Sequence, residues 1–377
     1  MNINSEIWNS PRDYLLARAP DHPVHFFAPA ALQAQAKRFL DGFNGLVTYA
    51  VKANPEPAVL TNLLAAGITT FDVASPNEIR LLRALAPQAT LHYNNPVRSK
   101  SEIRFANRAG VTSFSVDSLR ELAKIQEIIP PDGVEISVRI KLPVSGAVYD
   151  FGTKFGAIPE NAIELLRRVK SAGYISSITF HPGTQCEDPQ AWVAYIFGAA
   201  TVARAANVTI KRLNVGGGFP ARTAKGAPDL EQFFALIDKA VTAAFTTRPA
   251  LVCEPGRALV AESFTHATRV KSVNDNGDVY LNDGIYGGLS EFPVLDVQRI
   301  FTVLPPLGEQ RNTAKIPTRV FGPTCDSLDV LPNKLLLPND ITDDDYIIFQ
   351  NMGAYVKGVT TDFNGYGQLE TVTVLSL

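Results

Sequence analysis

LVTYAVKANPEPAVLTNLLAAGITTFDVA, residues Leu46–Ala74, contains one complete copy of the pattern on which the fold prediction rests. An apolar run over Leu46–Val51 is followed by an amphipathic segment, Pro57–Leu64, and by a second apolar run, Thr69–Ala74. Apolar residues at three- and four-residue spacing favour a helix, and short β-branched runs favour strands. The stretch therefore predicts a strand, a helix and a second, parallel strand joined by a right-handed crossover.

The same alternation recurs as far as residue 254, with amphipathic segments between eight short apolar runs. These runs are Leu46–Val51, Thr69–Ala74, Thr90–Asn94, Thr112–Val116, Val134–Ile140, Ile175–His181, Ile210–Val215 and Ala250–Glu254. Eight such units over about 210 residues fit a (β/α)8 barrel, which usually takes ~250 residues. A doubly wound open sheet is the alternative, but it would gather its ligand at one switch point, whereas the candidate residues here follow many different strands.

The pattern changes after about residue 260, where strand-like runs follow one another without long helices between them. They are Thr265–Val273, Asp278–Leu281, Thr318–Phe321, Asp345–Gln350 and Leu369–Leu375. Turn signals rich in Asn, Pro and Gly separate these runs. We predict an α/β protein with a barrel over residues 28–260 and an all-β domain over residues 261–377, the latter completed by the N-terminal segment 1–27.

Composition limits the class of protein. The chain has 377 residues, 46% hydrophobic and 19% charged, with a formal charge of -2. These values exclude a disordered chain and give no electrostatic indication of nucleic acid or an anionic membrane as a partner. We find no apolar run of the ~18–20 residues needed to span a membrane, and Met1–Asn9 lacks the pattern of a signal peptide. Three cysteines, an odd number, indicate reduced thiols, so we expect a cytoplasmic protein.

Lys52 ends the first predicted strand. In a barrel the carboxyl ends of the strands open into the active site, where a lysine can form a Schiff base. An isolated lysine at a strand end more often extends its amine into solvent. His181, which ends the sixth run, faces the same opening and could stack on a flat cofactor, although a lone histidine there is usually structural.

Two glycine-bearing segments, Gly216–Gly218 and Glu254–Arg257, follow the seventh and eighth predicted strands. Consecutive glycines let backbone N–H groups turn toward an anion, and the guanidinium of Arg257 could grip a phosphate. Barrels often bind phosphate with these two loops. Glu254 could pair with the ring nitrogen of a phosphorylated pyridine, or instead form an ion pair with Arg257.

Cys325 lies beside Asp326 in a loop bounded by Gly322 and Pro323, where it could donate a proton next to a carboxylate. A buried thiol beside a capping aspartate is the alternative interpretation. The three cysteines are far apart and have no Cys-x-x-Cys or His pair beside them, so we expect no metal site.

Taken together and in this order, seven segments resemble the ornithine/diaminopimelate decarboxylase family, the alanine-racemase-like barrel enzymes that use pyridoxal 5'-phosphate (PLP). They are Tyr49–Lys52, Phe71–Ser75, Phe180–Gly183, Gly216–Pro220, Glu254–Arg257, Gly322–Asp326 and Asn351–Tyr355. The resemblance spans about residues 22–375 and is greatest to the members that act on ornithine or lysine. It implies a PLP-binding barrel with a C-terminal β domain, and a homodimer that shares its active sites across the interface.

The resemblance also implies residue roles, with Lys52, His181, Glu254 and Cys325 as the catalytic residues. Lys52 would hold PLP as a Schiff base, and Glu254 would pair with its ring nitrogen. The other residues expected at the cofactor are Asp72, Glu78, Arg139, His181, Thr184, Gly217, Gly218, Gly256, Arg257 and Tyr355. Cys325, the expected proton donor, and Asp326 would reach into the partner's site. Further residues expected at the substrate are Tyr286, Phe363 and, as a second acidic residue, Asp296 or Glu291.

The implied reaction is PLP-dependent decarboxylation of a basic L-amino acid. The first expectation is conversion of ornithine to putrescine, with conversion of lysine to cadaverine as an additional activity. Asp326 would offer its carboxylate to the distal ammonium. Pro182 and Thr184 stand where ornithine enzymes typically have valine and serine, which leaves the substrate's chain length open. The alternatives are another diamino acid (lysine, diaminobutyrate or diaminopimelate), an inactive regulatory homologue, or a racemase on the same scaffold.

Overall fold

The predicted apolar runs form strands in the structure, a computed structural model that describes residues 6–144, 146, 148, 152–295, 299–309 and 311–377. The chain divides into two units. The barrel unit comprises Gln35–Pro220 and Pro228–Ala258. The β unit comprises the residues up to Ala34, Ala221–Ala227 and Leu259–Leu377. Within the described ranges, no helix combines the length and hydropathy needed to cross a lipid bilayer.

The barrel unit is built on one continuous parallel sheet. Its strands are Leu46–Val47, Tyr49–Ala50, Thr70–Val73, Thr90–Tyr93, Ser113–Val116, Glu135–Arg139, Ile175–Thr179, Arg212–Asn214 and Ala250–Cys253. Ala250–Cys253 pairs with Leu46–Val47, while Thr70–Val73 pairs with Tyr49–Ala50. Since only Thr48 separates these two short strands, they are parts of one first strand, and the sheet closes into a barrel of eight strands. The predicted fold class is confirmed.

Helices alternate with the barrel strands. Their bounds are Pro29–Gly42, Pro57–Ala65, Pro76–Leu85, Lys100–Arg108, Leu119–Gln126, Pro159–Ser171, Gln190–Ala206, Leu230–Ala244 and Arg257–Val260. Ser75, Ser99 and Ser118 each cap a helix by accepting a hydrogen bond from the N–H three residues further on. Such a cap is worth about 1 kcal/mol and sets the residue at which each helix begins, and thus the length of the loop at the strand's carboxyl end.

The β unit contains a mainly antiparallel sheet. Its described strands are Val24–Phe27, Phe264–Val273, Val279–Leu281, Phe301–Leu304, Val320–Phe321, Tyr346–Gln350 and Glu370–Thr373. Val24–Phe27 lies between two strands from the other end of the chain, antiparallel to Phe264–Val273 and parallel to Glu370–Thr373. An N-terminal helix, Pro11–Arg18, begins at the cap Ser10.

The structure contains elements that the sequence analysis did not predict. Lys315–Thr318 and Leu335–Pro338 form a separate two-stranded antiparallel sheet, and Phe301–Leu304 adds a strand beside Tyr346–Gln350. Pro317 and Pro338 argue against strands because proline cannot donate to a ladder, but in a two-stranded sheet a proline N can face away from the partner strand.

Candidate active site

The carboxyl ends of the barrel strands surround a cavity of about 200 Å³. Five residues predicted from the sequence line it: Lys52, Asp72, Arg139, His181 and Glu254. They stand at or just beyond the ends of five different strands, and a closed parallel sheet brings all of these ends to one side. The structure thus gathers into one cavity residues that are far apart in the sequence.

Lys52 lies in a short 3-10 turn, Val51–Ala53, directly after the first barrel strand. Its side chain is 47% exposed, and its Nζ lies 3.9 Å from Oδ2 of Asp72. Lys52 is one of the residues that line the cavity. A primary amine in a confined, reachable position is what Schiff-base chemistry requires.

The carboxylate of Asp72 is buried where few hydrogen-bond donors surround it. Its side chain is 5% exposed, and no described residue gives its Oδ1 a hydrogen bond. Burial raises the pKa of Asp72 well above its usual value, and the neighbouring Glu254 raises it further, while Lys52 lowers it.

Glu78 lies outside the group of residues that line this cavity. Its Oε2 accepts a hydrogen bond from the N–H of Ala74 at 2.6 Å, at the start of a helix. Burial raises its pKa, and the bond from Ala74 opposes that shift. Glu78 therefore holds the loop that follows the strand Thr70–Val73, and Asp72 belongs to that strand.

Glu254 is held by two asparagines. Its Oε1 accepts hydrogen bonds from Nδ2 of Asn94 and, at 2.5 Å, from Nδ2 of Asn214. All three residues are buried. Burial raises the pKa of Glu254, although the bond from Asn214 and the positive charges of Lys52 and Arg139 oppose the shift. A carboxyl in such a site favours a proton or a cationic partner close to it.

Arg139 and His181 supply a cation and a flat ring. The Arg139 guanidinium lies 5.1 Å from the ring centroid of Phe155, and burial lowers its pKa. His181 Nδ1 accepts a hydrogen bond from the N–H of Gly183 at 3.1 Å. The pKa of His181 lies well below its usual value because the ring is buried, with Lys52 and Arg139 adding to the effect. His181 is therefore a neutral ring with its proton on Nε2.

The glycine loops after the seventh and eighth strands pack too closely for side chains. A Cβ on Gly217 would lie 2.5 Å from the Glu254 carbonyl oxygen, and one on Gly256 would lie 2.9 Å from Cβ of Ala53. Gly218, with φ of +87°, adopts a backbone conformation that favours glycine. Among the described residues we find no acceptor for the N–H groups of Gly217, Gly218 and Gly256. These groups can therefore bind an anion.

The remaining cofactor predictions are placed as follows. Thr184 lies in the loop after the sixth strand, where its carbonyl accepts a hydrogen bond from Val148, and it is not among the cavity-lining residues. Arg257 begins the short helix after the eighth strand. Tyr355 belongs to the β unit and has a positive φ of 55°.

Four predicted residues form a cluster on loops of the β unit. The Tyr286 hydroxyl donates to Oδ2 of Asp326 at 2.5 Å, and the Tyr286 and Phe363 rings lie 5.2 Å apart. Cys325 is exposed, and its N–H donates to Oδ1 of Asn364. The bond from Tyr286 lowers the pKa of Asp326, so this carboxylate stays ionised. Asp296 lies outside the described residues.

Sequence reasoning missed Asn94 and Asn214, and it also missed Asn95, Lys154 and Phe155, which line the cavity. The signal for Asn94 and Asn214 was position, since one directly follows the third strand and the other ends the seventh. In a barrel, every polar residue at such a place is a candidate.

Known proteins give an independent comparison. The family described as "Pyridoxal-dependent decarboxylase, pyridoxal binding domain" matches residues 30–261. The chain is 34% identical to ornithine decarboxylase from Nicotiana glauca, over 87% of this chain and 78% of that protein. It is 31% identical to mouse ornithine decarboxylase, and the match covers 87% of this chain and 75% of the mouse protein.

Among solved structures, the lysine/ornithine decarboxylase of Vibrio vulnificus complexed with cadaverine superposes with a TM-score of 0.84 at 29% identity, covering 97% of this chain and 99% of that one. The family model matches more than half of the chain, and both ornithine decarboxylases are more than 30% identical to it. The chain belongs to the pyridoxal-dependent decarboxylase family.

Proposed function

We propose that this PLP-dependent decarboxylase converts L-ornithine to putrescine, with L-lysine as a second substrate that yields cadaverine. The observation that carries the proposal is the convergence of the Lys52 amine and the buried Glu254 carboxyl in one barrel cavity. The names of the relatives, ornithine decarboxylase in plants and mouse, support ornithine as the first substrate.

The residues present fit the cofactor. Lys52 offers the amine, Glu254 offers a carboxyl that favours a cationic neighbour, and the neutral ring of His181 offers a flat surface. The N–H groups of Gly217 and Gly218, which have no acceptor in the described part of the chain, suit the phosphate. When bound, PLP supplies an electron sink that takes up the electron pair left by the departing carboxylate.

Each residue then has one task. Lys52 would hold the cofactor covalently through its side-chain amine. Glu254, aligned by Asn94 and Asn214, would keep the ring nitrogen of the bound cofactor protonated, because that positive charge would stabilise its carboxylate. His181, which carries no charge, would offer its flat ring to the cofactor without opposing a positive charge on it.

Asp326 is the proposed site for the substrate's distal ammonium. Its carboxylate has a lowered pKa and is held by the Tyr286 hydroxyl, so its charge and its direction are both set. A charge-assisted hydrogen bond to an ammonium selects basic amino acids over neutral ones. Asp296, or Glu291, is proposed as the second acidic residue that would distinguish ornithine from lysine.

We further propose that the protein is a homodimer in which Cys325 and Asp326 complete the barrel site of the partner, with the Cys325 thiol giving its proton to the substrate's Cα. The exposure of Cys325 supports this role, since a proton donor must be reachable. A Lys52→Ala subunit lacks the barrel lysine, and a Cys325→Ala subunit lacks the loop thiol. The two inactive variants would then complement each other when mixed.

Random mixing of equal amounts places one intact site in half of the dimers, so about one quarter of wild-type activity per subunit is expected. If both residues instead served the same subunit's site, mixing would restore no activity. Mixing each variant with itself is the control. Clean diamine formation at the full rate by Cys325→Ala alone would remove the proton-donor role.

The substrate proposal is tested by CO2 release from ornithine, lysine, arginine, diaminobutyrate and diaminopimelate, with the PLP-loaded protein. Ornithine is expected to give the highest kcat/KM, and lysine the next. A preference for diaminopimelate would contradict the role of Asp326, because that substrate's distal end also carries a carboxylate. Release from none of the five, with PLP bound, would favour the inactive regulatory homologue.

We also propose the domain division and the cellular location. The barrel over residues 28–260 serves as the cofactor-binding domain, and residues 261–377 with the N-terminal segment 1–27 form the β domain. The matched family segment, residues 30–261, supports that boundary. We propose a cytoplasmic location, which fractionation of the source cells would test.

A further inference from the structure

A buried histidine–aspartate pair lies in the β unit and takes no part in the chemistry described so far. His266 Nε2 lies 2.7 Å from Oδ2 of Asp283, and the two side chains are 0% and 3% exposed. Because a carboxylate accepts, His266 donates from Nε2. The described residues give the Nδ1 of His266 no hydrogen-bond partner. A buried bond to a carboxylate is among the strong ones.

The loop Asp283–Gly288 closes around the carboxylate of Asp283. Its Oδ1 accepts from the N–H of Gly284 at 2.9 Å, and its Oδ2 accepts from the N–H of Gly288 at 2.9 Å. A Cβ on Gly287 would lie 1.8 Å from Oδ1 of Asp283, and one on Gly288 would lie 2.6 Å from Nε2 of His266. The loop can close on the pair only because both positions are glycine.

Tyr286 stands in the middle of this loop. A backbone bond from Gly287 to Gly284, 3.0 Å long, forms the turn that carries it. From there its hydroxyl reaches Oδ2 of Asp326 at 2.5 Å. His266 and Asp326 are thus connected through Asp283, the loop and Tyr286, with every link a hydrogen bond or a covalent bond.

We propose that His266 is a positioning residue for substrate recognition. By donating to Asp283 it fixes the loop that holds Tyr286 on Asp326, and so fixes the carboxylate that takes the substrate's distal ammonium. The inference rests on the proposed function, because it assigns the direction of Asp326 a purpose in binding a diamino acid.

His25 provides a matched control. It lies opposite His266 in the sheet register, with ring centroids 5.6 Å apart, and its ring stacks on Phe264 at 4.5 Å. It is 0% exposed, and the described residues offer neither of its nitrogens a partner. His25 is therefore an equally buried ring of the same type that makes no bond to the loop.

The test compares His266→Phe, which keeps a ring but loses the donor, with His266→Gln, which keeps an N–H, and with His25→Phe. KM and kcat are measured for ornithine, and inhibition is measured with two product-like amines. Putrescine carries the distal ammonium, whereas 1-aminobutane lacks it. Both amines can enter the cofactor site, so their ratio isolates the distal end.

His266→Phe is expected to raise the KM for ornithine and the inhibition constant of putrescine about tenfold, the effect of one lost buried bond to a charged group. The kcat and the inhibition constant of 1-aminobutane should stay within about twofold. His266→Gln should recover most of the loss, and His25→Phe should show none. Equal weakening of both amines, or of neither, would overturn the proposal.

If His266→Phe does not fold, Gly288→Ala is measured in its place, since its added Cβ pushes the loop away from the pair while both side chains remain. The same difference between the two amines is expected there. Wild-type protein that releases no CO2 from ornithine would refute the proposed function. Active wild-type protein with an unchanged amine ratio in these variants would refute only the role of His266.

Discussion

The barrel cavity and the Tyr286–Asp326 cluster hold their carboxylates in opposite ways. Glu254 and Asp72 are buried, and burial raises the pKa of each. Asp326 is only half-buried, and a hydrogen bond lowers its pKa. A buried charge interacts strongly because little water surrounds it, whereas an open one is screened. Electrostatic interactions are therefore stronger in the barrel cavity than at the more exposed cluster.

The largest expected effect removes the barrel's anchor. Lys52→Ala should lower kcat by at least about a thousandfold, because the variant loses the amine proposed to attach the cofactor covalently. Borohydride reduction of the PLP-loaded protein followed by peptide mapping checks the attachment. Lys154→Ala, which removes the other lysine of the cavity, should keep the label. A label retained by Lys52→Ala would disprove the assignment of the anchor.

Glu254→Gln should lower kcat about a hundredfold while PLP stays bound, because the amide cannot neutralise a protonated ring nitrogen. Steady-state kinetics and the absorbance of bound PLP measure the two effects separately. Glu78→Gln is the matched control, since its carboxyl lies outside the cavity lining and bonds to the loop backbone. An unchanged kcat in Glu254→Gln would show that this carboxyl has no role in the reaction.

Asp326→Asn tests the more open region. The KM for ornithine should rise about tenfold, with a smaller change in kcat, because a neutral amide replaces the charge that meets the distal ammonium. Bound PLP should be unaffected. Asp275→Asn, in an exposed turn of the same unit, should change neither value. Loss of PLP from Asp326→Asn would mean that the two regions are not separate in function.

The smallest expected effect uses a buried neutral histidine, a feature that the barrel unit and the β unit both contain. Burial holds the pKa of His25 well below 6.5, so the unfolded chain binds a proton that the folded chain does not. Stability from this group is present above about pH 6.5 and is lost as the pH falls. Between about pH 7 and pH 5.5 the loss amounts to about 1 kcal/mol.

His25→Phe should therefore lose about 1 kcal/mol less unfolding free energy than the wild type across that interval, as measured by urea titration at both pH values. Burial also lowers the pKa of His181 in the barrel, so this residue too makes the folded protein less stable as the pH falls. A His25→Phe variant with the acid sensitivity of the wild type would show that His25 is charged in the folded protein.

Position explains which site residues could be predicted. Lys52, His181 and Glu254 each follow or end an apolar run. Because a barrel brings the ends of its strands together, the topology predicted a shared site for residues that are far apart in the sequence. Asn94 and Asn214 satisfy the same rule, but asparagine at a strand end usually belongs to a turn, and only the folded chain brings their amides to Glu254.

The β unit was harder to predict. His25 and His266 face each other only through strand register, which depends on partners from opposite ends of the chain. The bond from Tyr286 to Asp326 joins two loops, and nothing local in either loop indicates it. The barrel repeats one local unit, so its pattern could be recognised, whereas the β unit is assembled from contacts of long range.

The interruption of the first barrel strand at Thr48 bears on how the protein is made. Tyr49–Ala50 can pair with Thr70–Val73 early in synthesis, but Leu46–Val47 must wait for Ala250–Cys253 to leave the ribosome. Until then the first barrel strand, which precedes Lys52, lacks its pairing partner on one side. A nascent chain halted before residue 250 would thus expose an unpaired strand edge. At that stage the chain has the greatest need of chaperones to prevent aggregation.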